Sequence, residues 1–80
     1  MKQVRVQYFA VLREQAKRGE ERVETNAGTP AGLYQELARR HGFTLPAAHL
    51  KVAIDDEFGA WHAPLPDNAR VAFIPPLAGG

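Results

Sequence analysis

The hydrophobic positions of this chain change period several times, and each change marks an element. From Lys2 to Phe9 the residues alternate, with Val4, Val6 and Tyr8 on one side and Arg5, Gln7 and Phe9 on the other. That period of two is the mark of a strand with one face buried. Beyond Phe9 the spacing lengthens. Leu12 and Ala16 stand four apart, Lys17 and Arg18 suit the negative end of a helix dipole, and Gly19 offers a stop, so the pattern predicts a short helix. Glu20 to Thr25 returns to alternation, with Glu21, Val23 and Thr25 sharing a face, which predicts a second strand. After the turn Asn26-Ala27-Gly28, Thr29 is suited to cap a helix and Pro30 to occupy its first position. Leu33, Leu37 and His41 then form one stripe, flanked by Tyr34 and Ala38, with Arg39 and Arg40 near the end and Gly42 as a left-handed cap. Phe43 to His49 contains Pro46 and reads as a connection with at most one short turn. Leu50, Val52 and Ile54 alternate with Lys51, Ala53 and Asp55 as a third strand, and Asp55-Asp56-Glu57 reverses the chain into a short strand from Phe58 to Trp61. Pro64 to Asn68 is a loop in which Asn68 tolerates positive φ. The last strand, from Arg70 to Ile74, turns Val71 and Phe73 to the core and Ala72 and Ile74 away from it. Pro75 and Pro76 end its ladder, because neither nitrogen carries a hydrogen to donate.

The order is strand, short helix, strand, helix and three strands. Short connections and the right-handed crossover rule then favour an α+β fold of the β-grasp, ubiquitin-like type. It comprises a mixed sheet of about five strands, one main helix on one face, and a short helix after the first strand. Residues 1–74 form the domain, and residues 75–80 are expected to be a flexible tail. In such a fold the first and last strands are parallel neighbours. Phe9 and Ile74 then lie close together on the open face beneath the root of the tail, with Phe58 nearby and Arg13 as a charged rim. Apolar residues gathered beside a projecting tail suggest a partner interface.

Composition narrows the chemistry. Eighty residues make one small domain. A formal net charge of +1, with Lys and Arg interleaved among Asp and Glu, gives no footprint for nucleic acid. There is no cysteine and no serine, so Thr25, Thr29 and Thr44 are the only aliphatic hydroxyls and an autonomous hydrolase or acyltransferase is not expected. Asp55-Asp56-Glu57 reads as a solvated turn, because consecutive carboxylates do not converge on a metal. His41, His49 and His62 lack the short repeated spacing of metal ligands. The strand-like start and the lack of a long apolar run point to a soluble, cytoplasmic protein without membrane contact.

The tail carries the remaining signal. Extended, Pro75 to Gly80 reaches about 20 Å from the sheet, and Gly79 and Gly80 have no side chain to obstruct a narrow channel. Phe73-Ile74-Pro75-Pro76-Leu77-Ala78-Gly79-Gly80 resembles the end of the small subunits of molybdopterin synthase, which are ubiquitin-like sulfur carriers. Val6-Gln7-Tyr8-Phe9-Ala10-Val11-Leu12-Arg13-Glu14 and Pro64-Leu65-Pro66-Asp67-Asn68-Ala69-Arg70-Val71-Ala72-Phe73 are similar to that family as well. The chain departs from it at Ala53-Ile54-Asp55, where an Asn often follows an Ala-Val pair, and at Asn68, where Gly is common.

The resemblance implies a mechanism. A ubiquitin-activating-type enzyme would use ATP to adenylate Gly80, with Gly79 beside it, and sulfur from a persulfide donor protein would displace AMP and leave a thiocarboxylate. The tail would enter the large subunit of molybdopterin synthase in a heterotetramer and deliver sulfur to a pterin precursor. The chain itself would bind no cofactor. Phe9, Arg13, Phe58, Ile74, Pro75, Pro76, Leu77 and Ala78 would contact the partner. Two other readings stay open: a carrier for thiamine or transfer-RNA thiolation, and a protein modifier or interaction module. Thiamine carriers usually turn directly from first strand to second, so the segment Phe9 to Arg18 favours the molybdopterin reading over that one.

Overall fold

The computed structural model describes residues 1–76 of the chain. Its strands are β1 (Lys2–Tyr8), β2 (Glu20–Thr25), β3 (Lys51–Ile54), β4 (Glu57–Gly59) and β5 (Arg70–Ile74), and its helices are α1 (Ala10–Ala16) and α2 (Pro30–His41). One 3-10 turn, Ala47–His49, interrupts the connection after α2. The strands form a single sheet in the order β2-β1-β5-β3-β4. β1 runs parallel to β5, with Val6 opposite Val71 and Tyr8 opposite Phe73. The other neighbours are antiparallel. This is the mixed β-grasp sheet expected from the pattern.

Alternation along each strand separates two faces. Val4, Val6, Tyr8, Val23, Val52, Val71 and Phe73 are almost wholly buried against Leu12, Leu33, Tyr34 and Leu37 from the helices. Aromatic rings fill the centre. Phe73 meets Tyr34 edge-on at 5.1 Å between centroids and stacks on Trp61 at 5.8 Å, and Tyr8 meets Phe43 edge-on at 5.5 Å. Burying an aromatic or large aliphatic side chain is worth about 1.5–3 kcal/mol each, so this face dominates the stability. The connection after α2 is pinned by the Tyr34 hydroxyl, which donates to the carbonyl of Leu45 at 2.6 Å.

Local chemistry explains the ends of elements. Thr29 caps α2 through its side chain, which accepts from the Gly32 N–H at 3.2 Å, and Gly42 closes the helix at φ 73°. The short helix α1 does not run to Gly19. Lys17 takes the left-handed cap at φ 62°, its N–H bonded to the Arg13 carbonyl. Gly19 is instead part of the ladder, where its carbonyl accepts the Tyr8 N–H at 2.9 Å. β4 stops at Gly59, short of the expected Trp61. Trp61 turns inward to stack on Phe73, and its carbonyl accepts the Ala31 N–H. The β3–β4 hairpin turns on Asp55 and Asp56 alone, at φ 52° and 71°, the double positive-φ geometry of a two-residue hairpin. Asn68 has φ 64°, as its side-chain type allows. Among the described residues, no helix is long and apolar enough to cross a membrane.

Candidate functional site

Pairing across strands decides what the open face presents. Gln7 lies opposite Ala72, Ala72 opposite Ala53, and Ala53 opposite Phe58, so these four form one row. Its centre is two methyl groups, and its edge is Phe58, which is 72% exposed. The next row, toward the tail, pairs Ile74 with Lys51. The Lys51 ammonium lies over the Phe58 ring, 5.6 Å from its centroid, where the ring quadrupole attracts a cation.

A groove of about 500 Å³ follows from this arrangement, lined by Ile74, Pro75 and Pro76, by Ala48, His49, Leu50 and Lys51, and by Phe58. The structure thus brings together four of the residues expected at the interface, directly at the root of the tail. Phe9 and Arg13 line a different recess, with Gln7, Tyr8, Gly19 and Glu20. Phe9 caps the N-terminus of α1 in an extended conformation and is 43% exposed. The Arg13 guanidinium lies over Gly19, so close that a Cβ there would be 3.5 Å from it. Leu77, Ala78, Gly79 and Gly80 lie outside the described residues. Lys51, Ala48 and His49 were not anticipated. The signal for Lys51 was available, since its alternation with Leu50 and Val52 already put it on the open face. Ala48 and His49 enter through the 3-10 turn, which no local periodicity announces.

The titratable groups with clear shifts lie on the other side of the sheet. Tyr8 donates its hydroxyl hydrogen to Oε1 of Glu21 at 2.5 Å, and Nε2 of His41 meets the same oxygen at 2.6 Å. Burial, and then the hydrogen bond to the carboxylate, push the Tyr8 phenol well above its ordinary range. Burial also pushes Glu21 up, but the hydrogen bonds from Tyr8 and His41, with the His41 and Arg18 charges, outweigh it and hold the carboxyl below 4.5. This network ties β1, β2 and the end of α2 together and is structural. Asp55 and Asp56 are also engaged. Asp55 Oδ1 accepts the Arg70 backbone N–H at 2.9 Å, and the Asp56 carboxylate pairs with the Arg70 guanidinium. Among the described residues, no cluster of three or more His, Asp or Glu side chains is placed to hold a metal.

Comparison with known proteins places the chain. Its fold is similar to that of a protein from Pyrococcus furiosus described as a candidate molybdopterin converting factor, subunit 1, with TM-score 0.79 and 25% identity over 96% of this chain and 100% of that one. It is also similar to the small archaeal modifier protein 1 of Methanosarcina acetivorans, with TM-score 0.80 and 18% identity, covering 100% of this chain and 98% of that one. A third similar chain comes from the complex of subunits 1 and 2 of the molybdopterin-converting factor of Helicobacter pylori, with TM-score 0.67 and 22% identity over 98% of this chain and 99% of that one. No curated protein matches the sequence. The family model for the ThiS family matches residues 6–80, nearly the full length, from Val6 within the first strand to the terminal glycines. The chain therefore belongs to the ThiS family and has the fold of a ubiquitin-like sulfur carrier.

Proposed function

We propose that this protein is the small, sulfur-donating subunit of a molybdopterin synthase. The observation that carries the reading is the groove of Phe58, Ile74, Pro75 and Pro76, an apolar seat for a partner at the point where the Gly-Gly tail leaves the sheet. The α1 segment between β1 and β2, and the similarity to molybdopterin converting factor proteins, favour molybdopterin over thiamine. In this mechanism the Gly80 carboxylate attacks the α-phosphorus of ATP in a ubiquitin-activating-type enzyme and displaces pyrophosphate. The terminal sulfur of a persulfide protein then displaces AMP, forming an acyl disulfide. A thiol cleaves that bond, is oxidised to a disulfide with the donor sulfur, and leaves the thiocarboxylate. The large synthase subunit takes up the tail and transfers the sulfur to a pterin precursor. Its pocket supplies the acid–base and phosphate-binding groups, and Phe9, Arg13, Phe58, Ile74, Pro75, Pro76, Leu77 and Ala78 make the contact. This chain needs no cofactor of its own, and its setting is the cytoplasm.

The similarity to a small archaeal modifier supports a second reading, in which Gly80 is joined to lysines of other proteins. Intact-mass measurement on protein from its native cell separates them, since oxygen-for-sulfur exchange at the terminus marks a carrier and isopeptide ladders mark a modifier. Deleting Gly80 withdraws the carboxylate by about 3.5 Å, when an error of about 1 Å already lowers rates by large factors. ATP–pyrophosphate exchange and pterin conversion should both collapse while thermal stability is retained. Wild-type turnover of the deletion in both assays would remove the carrier reading.

A further inference from the structure

The end of the open face farthest from the tail has a different character. Arg5 lies opposite Arg22 on β2 and opposite Arg70 on β5, so three arginines stand abreast across three strands. All three are exposed. They line a recess of about 220 Å³ with Gln3, Val4 and Asn68. Arg70 is held by Asp56. Among the described residues, neither Arg5 nor Arg22 has an ion-pair or side-chain hydrogen-bond partner within the chain. Like charges facing each other across neighbouring strands destabilise a sheet. A fold that lines up three guanidinium groups and leaves two of them out of any ion pair among the described residues presents a site complementary to an external anion.

We propose that the row Arg22–Arg5–Arg70 docks a carboxylate-bearing segment of the protein that receives the tail. This inference rests on the sulfur-carrier reading and adds a second, electrostatic contact to the apolar one. Strands lie about 4.8 Å apart, so the row spans about 10 Å, the reach of successive acidic side chains on one segment rather than of one small anion. Each guanidinium is a planar fork suited to a carboxylate. The surroundings argue against a dense polyanion. Glu20 and Glu24 flank Arg22 on β2, Asp55 and Asp56 adjoin Arg70, and Asp67 accepts the Gln3 N–H at 2.8 Å. The row is continuous with the apolar groove, since Arg70 and Ile74 are the two ends of β5, about 13 Å apart along one strand. A partner held at both ends of this face has one orientation, and that orientation aims the tail. Charge contacts of this kind act mainly on the association rate.

The test uses the full chain and, as probe, a short peptide in which two glutamates alternate with glycines, followed by the amide and arginine side-chain resonances in solution. The peptide should shift Arg5, Arg22 and Arg70 together, and Arg5→Gln/Arg22→Gln should weaken the effect at least fivefold, whereas Arg5→Lys/Arg22→Lys should retain part of it. Because the glutamines remove repulsion, that variant should unfold at a midpoint no lower than the wild type. Absent shifts, shifts unchanged by the glutamine pair, or tighter binding of inorganic phosphate at the same resonances would each overturn the proposal. The peptide titration needs neither the terminal glycines nor the synthase, so its outcome is separate from that of the carrier reading. With the large subunit of molybdopterin synthase, the glutamine pair should slow association about tenfold at low salt. An unchanged rate would overturn the docking, whereas failure of the wild-type chain to bind at all would overturn the functional reading beneath it.

Discussion

The two faces of the sheet are built by the same strands and differ in almost everything else. On β5, Val71 and Phe73 are fully buried while Ala72 and Ile74, one position away, are only half covered. On β1, Val4, Val6 and Tyr8 are buried, whereas Arg5 is exposed and Gln7 partly so. One face is filled by helices and aromatic rings and supplies the stability. The other carries methyl groups at its centre, an apolar groove at the tail end and arginines at the far end, and it contributes little to the core. Function can therefore change on the open face without endangering the fold, because a period of two keeps the two sets of side chains apart.

The largest effect that sharpens this contrast is expected on the buried side. Phe73→Ala removes a ring packed against Tyr34 and Trp61 and should destabilise the domain by about 3–5 kcal/mol, read from denaturant midpoints. Its neighbour should behave in the opposite way. Ile74→Asp places a charge in the apolar groove and should weaken binding to the large subunit about tenfold or more, with unfolding shifted by less than about 1 kcal/mol. Phe9→Asp should likewise stay folded, as circular dichroism on the pull-down sample would show. If Ile74→Asp unfolds the domain, the faces are not separable in the way described.

A smaller effect depends on pH. Glu21 has its carboxyl lowered in the fold, so the stability that it contributes is fully present above about 4.5, its ordinary value. That contribution is lost as the pH falls through the lower, folded value. The wild type should therefore lose stability on acidification below 4.5 more steeply than Glu21→Gln, measured as urea midpoints from neutral pH to pH about 3. Parallel curves would mean that the Tyr8–Glu21–His41 network does not couple protonation to folding. The smallest effect concerns the hairpin at the edge of the open face. Asp56→Gly relieves a left-handed residue but gives up an exposed pair with Arg70, for a net gain of about 0.5 kcal/mol in thermal stability. A loss would show that the ion pair outweighs the backbone.

Much of this protein was legible in the chain itself. Local periodicity and capping chemistry set the type of every strand and of both α-helices, because Thr29, Pro30 and Gly42 act on the backbone immediately beside them and alternation sorts residues between two faces wherever it runs. The Pro-Pro-x-x-Gly-Gly tail and its resemblance were legible for the same reason, being contiguous. Proximity between distant segments was not. Alternation put Arg5, Phe9 and Ile74 away from the core, and the expected β-grasp order gathered Phe9, Ile74 and Phe58 beneath the tail, but nothing in the sequence set Arg5, Arg22 and Arg70 side by side. Strand order and register placed Phe58 with Ile74, Pro75 and Pro76, set Phe9 and Arg13 in a recess of their own, and lined up Arg22, Arg5 and Arg70. Even the end of β4 was decided at long range, by Trp61 stacking on Phe73, and so was the role of Gly19, which bonds to Tyr8 rather than closing α1. The choice of face depends on a residue's neighbours in sequence, whereas the composition of a site depends on which strands pair, and that is settled by burial of the whole core at once.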